Sequence, residues 1–185
     1  MDTRTSILVA AWRQFKAMGV TGLSLRKIAG EVGITPMAIY RHFANRQALI
    51  DALVAEGINE WRARVALVGE RPAVDWLEAI GEAYLSYAIE APERFDTAFF
   101  VYSDKALKYP DDLLAGGSPA VSLQMQLIAE LAGAERVGEI MVGIAALSQG
   151  LVSLHRAGRI IGDEESFKTL YRNTMRQHIK GMAGR

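Results

Sequence analysis

Apolar residues recur at steps of three and four along nearly all of the 185-residue chain, and nowhere do they alternate for long enough to make a strand. The sequence therefore predicts an all-α protein of about nine helices. Ile7, Leu8, Ala11, Trp12 and Phe15 mark the first, closed by Gly19. Leu25, Ile28, Ala29 and Val32 mark a short second helix, capped by Ser24 and ended by Gly33. Thr35-Pro36 opens a third of about two turns that ends near Phe43, with proline at the first helical position. Asn45 caps a longer fourth, carrying Leu49, Ile50, Leu53, Ile58, Trp61 and Val65. Arg71-Pro72 and Pro92 read as corners, and Tyr109 to Pro119 as a loop. Later helices carry Trp76 to Ala88, Phe95 to Phe100, Ala120 to Ala132, Val137 to Leu154, and Phe167 to Met182. A functional boundary is expected between a head, 1–47, and a helical body, 48–185, with the fourth helix running through it.

The formal net charge is zero, with 21 basic and 21 acidic residues, which by itself argues against a nucleic-acid binder. The average hides an asymmetry. Residues 1–50 hold seven basic residues (Arg4, Arg13, Lys16, Arg26, Lys27, Arg41, Arg46) and two acidic ones (Asp2, Glu31), a net +5 that leaves −5 for the rest. A basic head on an acidic body points to a polyanion at the head. The chain has no cysteine, which excludes disulfides, thiolate zinc sites and cysteine nucleophiles. The apolar run Thr5 to Trp12 is followed by Arg13 without a small-residue cleavage site, so no secretory signal is expected. The uncharged stretch Ile140 to His155 is broken by Gly143, Ser148, Gln149 and Gly150, and is shorter than the ~20 apolar residues of a membrane span. A cytoplasmic protein without a membrane partner is expected. There is no HExxH, phosphate loop or GxSxG, and His42, His155 and His178 lie on separate segments without a paired acid. No catalytic residue, metal or cofactor is expected.

The informative segment is Ser24 to Asp51, SLRKIAGEVGITPMAIYRHFANRQALID: a short helix, a glycine turn and a second short helix. That is helix-turn-helix geometry, in which the second helix enters the major groove. Ala29 lets the two helices cross closely, Gly33 can take the positive φ of a tight turn, and Ile34, Ile39 and Phe43 supply the apolar underside. Arg26 and Lys27 follow the cap Ser24, and Arg46 follows the cap Asn45. A helix N-terminus is a positive pole, so each of these cations costs roughly 0.3–1 kcal/mol there. A phosphate docking among them would reverse the sign. The plainer alternative is a solvated surface.

The segment resembles the DNA-binding domain of the tetracycline-repressor (TetR) family. The resemblance rests on Ile28-Ala29, Gly33-Ile34, Tyr40-Arg41-His42-Phe43 and Arg46-Gln47-Ala48-Leu49, and covers about the first quarter of the chain. Arg46 stands where the family usually has lysine, and Ser24 where it usually has a threonine cap; both keep the chemistry. The resemblance implies that Arg26 reads a base, since guanidinium pairs bidentately with guanine. It implies that Pro36, Met37 and Ala38 form the tip of the reading helix, for instance against thymine methyls. Thr35, Tyr40, His42 and Arg46 would clamp phosphates, Lys27 would touch the backbone, Ser24 would cap the helix, and Arg41 could serve either role. For Tyr40 and His42 the alternative is packing within a small domain.

The remainder, Gly81 to Ala88 with Pro92 and Phe95, and Gly150 to Leu154, resembles C-terminal domains of the same family in architecture. There the last two long helices pack against their copies as a four-helix interface. Ile144, Leu147, Leu151, Leu154, Leu170, Thr174, Met175 and His178 are the residues expected in that homodimer seam. Trp76, Ile80, Tyr84, Tyr87, Phe95, Phe99, Tyr102, Leu123, Leu127 and Met141 are expected to line a cavity for an apolar or aromatic effector. Taken one at a time, such aromatic positions are more often core. The resulting expectation is a ligand-responsive regulator, a repressor by the family's usual behaviour, binding a palindromic operator in double-stranded DNA as a dimer. The alternatives are a helical small-molecule carrier or enzyme, and a DNA-packaging protein, the last disfavoured by the acidic body.

Overall fold

The computed structural model describes residues 2–103, 108–109, 111–115 and 117–183. Among them there is no strand, and the helices are α1 (Thr3–Met18), α2 (Leu25–Val32), α3 (Pro36–Ile39), α4 (Arg46–Ala66), α5 (Ala73–Glu90), α6 (Pro92–Phe99), α7 (Asp111–Leu114), α8 (Pro119–Ala132), α9 (Val137–Arg156) and α10 (Glu164–Ala183). The class is all-α, as the periodicity requires. The helix beyond the nine expected is α7, a single turn inside the stretch read as loop; Pro110 and Gly116 of that stretch lie outside the described residues. The helices start where short polar side chains satisfy free N–H groups. The Asp2 carboxylate accepts from the Thr5 amide at 2.7 Å, Asn45 Oδ1 from the Ala48 amide at 2.8 Å, and Asp163 Oδ1 from the Ser166 amide at 2.9 Å.

The chain packs into two compact units, Met1–Trp61 with Ala91–Ala106, and Arg62–Glu90 with Leu107–Arg185. The division differs from the 47/48 boundary on two counts. α4 continues unbroken past residue 47, and the segment holding α6 packs with the head rather than with the body that surrounds it in sequence.

In the first unit, Ile7, Ala11, Ile28, Ala29, Ile39 and Leu49 close a core around α1 to α4. α6 lies so close to α4 that a Cβ at Gly57 would sit 2.7 Å from both the Arg94 carbonyl oxygen and Thr97 Oγ1. The Arg94 guanidinium stacks 4.5 Å from the Trp12 ring centroid and 3.4 Å from the Glu60 carboxylate. Ser103 Oγ donates to Asp51 at 2.9 Å. In the second unit, α5, α8, α9 and α10 bury Trp76, Leu85, Tyr87, Ile128, Ile140, Phe167, Tyr171 and Ile179. Arg172 to Glu82 (2.6 Å) and Arg176 to Glu78 (3.0 Å) cross-brace α10 and α5. The stretch Ala134–Arg156 is, among the described residues, long and apolar enough by length and composition to cross a membrane, with mean hydropathy 1.6 in its best window. It is longer than the Ile140 to His155 run because α9 begins at Val137 and ends at Arg156 and a 3-10 turn, Ala134–Arg136, precedes it; it packs on α5, α8 and α10.

Candidate nucleic-acid interface

The local chemistry of α2 and α3 is that of two capped fragments joined by one left-handed residue. Ser24 Oγ accepts from the Lys27 amide at 3.4 Å. At the other end Gly33 has φ +77°, and the Ile34 amide reaches back to the Ala29 carbonyl at 2.9 Å, closing α2 in a C-terminal cap. Thr35 Oγ1 then accepts from the Ala38 amide at 3.2 Å, and Pro36 supplies a preset φ at the start of α3. α3 proper is one turn. Tight turns prolong it, with the His42 and Phe43 amides both bonded to the Ile39 carbonyl at 2.9 Å. The expected end near Phe43 is the end of these turns. Ala29, Ile39 and Phe43 are buried beneath, so the fragment has one face fixed by the core and one facing solvent.

The solvent face carries the residues singled out by the sequence. Arg26, Lys27, Thr35, Pro36, Arg41 and His42 are exposed, and Ser24 and Ala38 are half-buried. Met37 is 73% exposed and Tyr40 50% exposed. Packing within the domain therefore does not account for Tyr40 or His42. The basic residues of the head separate into two groups. Arg13 pairs with Glu31 at 2.8 Å and Lys16 with Glu93 at 3.2 Å. Glu31, an acid that would repel phosphate, is thereby neutralised. Arg26, Lys27 and Arg41 have no ion pair or hydrogen-bonded side chain among the described residues.

Arg46, expected among the phosphate clamps, is exposed and makes contacts within the head. Its Nε donates to the Leu23 carbonyl at 3.1 Å, and its Nη2 to the Val20 carbonyl. The Val20 carbonyl also accepts from the Leu23 amide at 3.4 Å across the 3-10 turn Val20–Gly22, the Leu23 carbonyl follows that turn, and a forked guanidinium can serve both. Arg46 thus ties the start of α4 to the entry of α2. Sequence reasoning also passed over Gln14. It is buried, and its Oε1 accepts from the Ser24 amide at 3.1 Å, which fixes where α2 begins. The available signal was an amide side chain within the apolar stripe of α1, between Ala11 and Phe15.

In the second unit, a 550 Å³ cleft is lined by the end of α4, by α5 and by α10, with Arg64, Arg71, Arg172 and Arg176 among Asp75, Glu78 and Glu82, over Tyr171 and Met175. None of the ten residues expected around an effector lines it. Trp76, Ile80, Tyr84, Tyr87, Leu127 and Met141 are buried in the bundle, and Leu123 is at its surface. Phe95 and Phe99 belong to the first unit, their rings tilted against each other with centroids 5.0 Å apart, and Tyr102 is 78% exposed. Polar atoms nevertheless enter the bundle. The Tyr171 hydroxyl is buried beside Ser148 without completing a hydrogen bond, and Ser148 Oγ meets Met175 Sδ at 3.6 Å. Burial pushes the Tyr84 and Tyr171 phenols far above the ordinary tyrosine range, so both remain neutral donors.

Of the eight expected seam residues, Ile144 and Met175 are buried inside the second unit. Leu154 and Leu170 are 48% and 43% exposed, and Leu147, Leu151, Thr174 and His178 are half-buried. His178 Nε2 is buried without a partner, facing Gly143, where a Cβ would lie 3.5 Å away.

The profile of a family described as "Bacterial regulatory proteins, tetR family" matches residues 7–53, and that of "Tetracyclin repressor-like, C-terminal domain" matches residues 77–178. The chain is 31% identical over 103 residues to the tetracycline repressor protein class D of Escherichia coli, covering 56% of this chain and 42% of that protein. It is 27% identical over 111 residues to the uncharacterized HTH-type transcriptional regulator YobS of Bacillus subtilis (strain 168), covering 60% and 58%. The chain thus spans about half the length of these relatives. Among solved structures, a protein of unknown function from Rhodococcus sp. RHA1 superposes with a TM-score of 0.78 at 24% identity, over 99% of this chain and 96% of that one. A TetR variant from Acinetobacter baumannii AYE in complex with minocycline superposes with a TM-score of 0.68 at 16% identity, over 98% and 96%. At these identities the structures share the fold.

Proposed function

The chain belongs to the tetR family of bacterial regulatory proteins, whose members are DNA-binding regulators and not enzymes, and from that premise we propose that it is a cytoplasmic repressor that binds a palindromic operator as a homodimer and is released by a small molecule. The observation that carries the reading is the sorting of charge in the head. Arg13, Lys16 and Arg46 are tied to acids or carbonyls, while Arg26, Lys27 and Arg41 stand exposed and, among the described residues, unpaired beside Tyr40, His42 and the uncovered Met37. A surface arranged for stability would pair them.

In this reading the tip Pro36, Met37 and Ala38 enters the major groove and Arg26 reads a guanine edge, while Thr35, Tyr40, His42 and Lys27 hold the strands. Two heads related by a two-fold axis would span half-sites ~34–36 Å apart. The seam would use the exposed Leu154 and Leu170 with the half-buried Leu147, Leu151, Thr174 and His178. The effector would be a neutral, largely apolar or aromatic molecule held in the second unit. The buried Tyr171 hydroxyl supports this, because an unmet polar group of that kind costs about 1–3 kcal/mol. An oxygen on the ligand would meet it. Release follows if the ligand prefers a form whose reading helices do not match the groove spacing, and only by as much as that preference allows. α4, continuous through both units, and the segment Tyr109 to Pro119 are the proposed moving parts.

Selection of bound sites from random duplexes, followed by footprinting, tests the reading. One protected palindrome is expected. Diffuse protection would point to packaging, and none to a carrier. In the same assay Arg26→Ala should cost ~1–3 kcal/mol and relax the base preference at one position; an unchanged preference removes Arg26 as a reader.

A further inference from the structure

One cation of the head outside α2 and α3 also lacks an ion pair among the described residues. Arg4 lies in the first turn of α1, where the helix pole disfavours a positive charge and where Asp2 already satisfies the Thr5 amide. It is exposed, and among the described residues it has no acid and no side-chain hydrogen bond. Its guanidinium carbon instead sits 5.2 Å from the centroid of the Phe43 ring.

That contact fixes more than it stabilises. Phe43 is buried, so its ring is a fixed platform of the core. It closes the same coil that begins at Pro36 and displays Tyr40, Arg41 and His42 to solvent. A planar guanidinium laid on such a ring gives up much of its rotational freedom in advance, while its N–H donors remain free at the edges. The position along the coil sets what it can meet. Base edges are read from the beginning of a recognition helix, here Pro36 to Ala38, whereas Arg4 stands by the far end. A cation there faces a strand flanking the groove, and strand contacts position a protein without reading sequence.

We propose that Arg4 is a further phosphate contact of the DNA interface, presented from α1 by the Phe43 ring. The inference rests on the reading of the head as a duplex binder. Its test measures affinity against salt concentration for wild type, Arg4→Gln, Arg4→Lys, Phe43→Leu and the Arg4→Gln/Phe43→Leu double variant. Two duplexes are used, the site selected from a random pool and an unrelated sequence of equal length, and thermal melts check that each variant is folded.

Arg4→Gln should lower the slope of log K against log salt by about 0.9, which is about eightfold in affinity near 0.1 M salt and vanishes toward 1 M. The loss should be equal on both duplexes. Arg4→Lys should keep the wild-type slope. In the Phe43→Leu background Arg4→Gln should cost less than in wild type, because the platform that orients it is gone. An unchanged slope in Arg4→Gln, or a loss confined to the selected site, overturns the proposal while leaving the head a duplex binder. A wild-type chain that binds neither duplex at low salt overturns the underlying reading, and this proposal with it.

Discussion

Gly57→Ala should destabilise the protein although it replaces a glycine in the interior of a 21-residue helix. On propensity alone the change would stabilise by about 1 kcal/mol. The obstacle is α6. An added Cβ would lie 2.7 Å from the Arg94 carbonyl oxygen, 2.7 Å from Thr97 Oγ1 and 3.1 Å from the Ala98 amide nitrogen. Two of these are backbone atoms, which cannot swing aside as the end of a side chain can. Reaching ordinary contact at 3.4 Å requires α6 to retreat by about 0.7 Å. That strains the Arg94 stack on Trp12 and the buried Phe95 and Thr97. Overpacking of this kind costs about 1–3 kcal/mol. Set against the propensity gain, the net loss is about 0–2 kcal/mol, or up to roughly 8 °C in Tm for a chain of this size. Gly30→Ala supplies the opposite case. It lies in α2 with nothing within 4 Å of the added carbon, so it should gain up to about 1 kcal/mol. Calorimetry on wild type and both variants decides the matter. If Gly57→Ala melts higher than wild type, as Gly30→Ala should, the close seating of α6 on α4 is wrong.

Arg46→Ala should lower the melting temperature of the head, since it removes the donors that reach the Val20 and Leu23 carbonyls; about 1 kcal/mol is expected for an exposed guanidinium. A melt unchanged from wild type, with weaker binding to every duplex, would return Arg46 to the phosphate clamps. Leu154→Glu should leave the fold intact and halve the mass seen in sedimentation, because the side chain is uncovered within one chain; a dimer that persists refutes the proposed seam. Glu82 is held below the usual carboxylate range, chiefly by its hydrogen bond from Arg172 and then by the charges of Arg172 and Lys168. A carboxyl depressed on folding contributes stability above its unfolded pKa of 4.5, and loses it as the pH falls through the lower folded value. Glu82→Gln should therefore flatten the fall of Tm below pH 4.5, and an acid limb of unchanged steepness would show that the pair does not contribute.

What the sequence made legible was local. Helix beginnings at Ser24, Thr35 and Asn45 fall where short acceptors reach an amide three residues on, and the end at Gly33 falls where only a residue free of a Cβ takes φ +77° easily. Each involves neighbours along the chain. What stayed illegible was partnership at a distance. Arg46 looks the same in sequence whether it meets a phosphate or two carbonyls 23 and 26 residues away. The joining of α6 to the head turns on Gly57, a lone glycine that by itself reads only as a weak spot in α4. Trp76, Tyr84, Tyr87 and Phe95 are buried as their spacing suggested, whereas Tyr102 is exposed, and burial in a core and burial around a cavity share one pattern.

The burial pattern of α9 shows why periodicity could not divide what the helix packs against within its own chain from what it leaves open. Ile140, Ile144, Ser148 and Val152 are buried, while Leu147 and Leu151 are half-covered and Leu154 is exposed. A step of three residues is about 300° around an α-helix, so the open row lies about 60° from the buried one. Two rows that close merge into one broad apolar stripe, and Ile144 falls within it as naturally as Leu147. The same happens on α10, where Met175 is buried beside the half-covered Thr174. A helix serving its own bundle and a second copy must carry more apolar arc than either needs. The sequence can register that excess, but only packing shows which edge of it remains uncovered. Here it is the edge through Leu147, Leu151 and Leu154, and a charge placed at Leu154 should separate two chains while the same charge at Ile144 should unfold one.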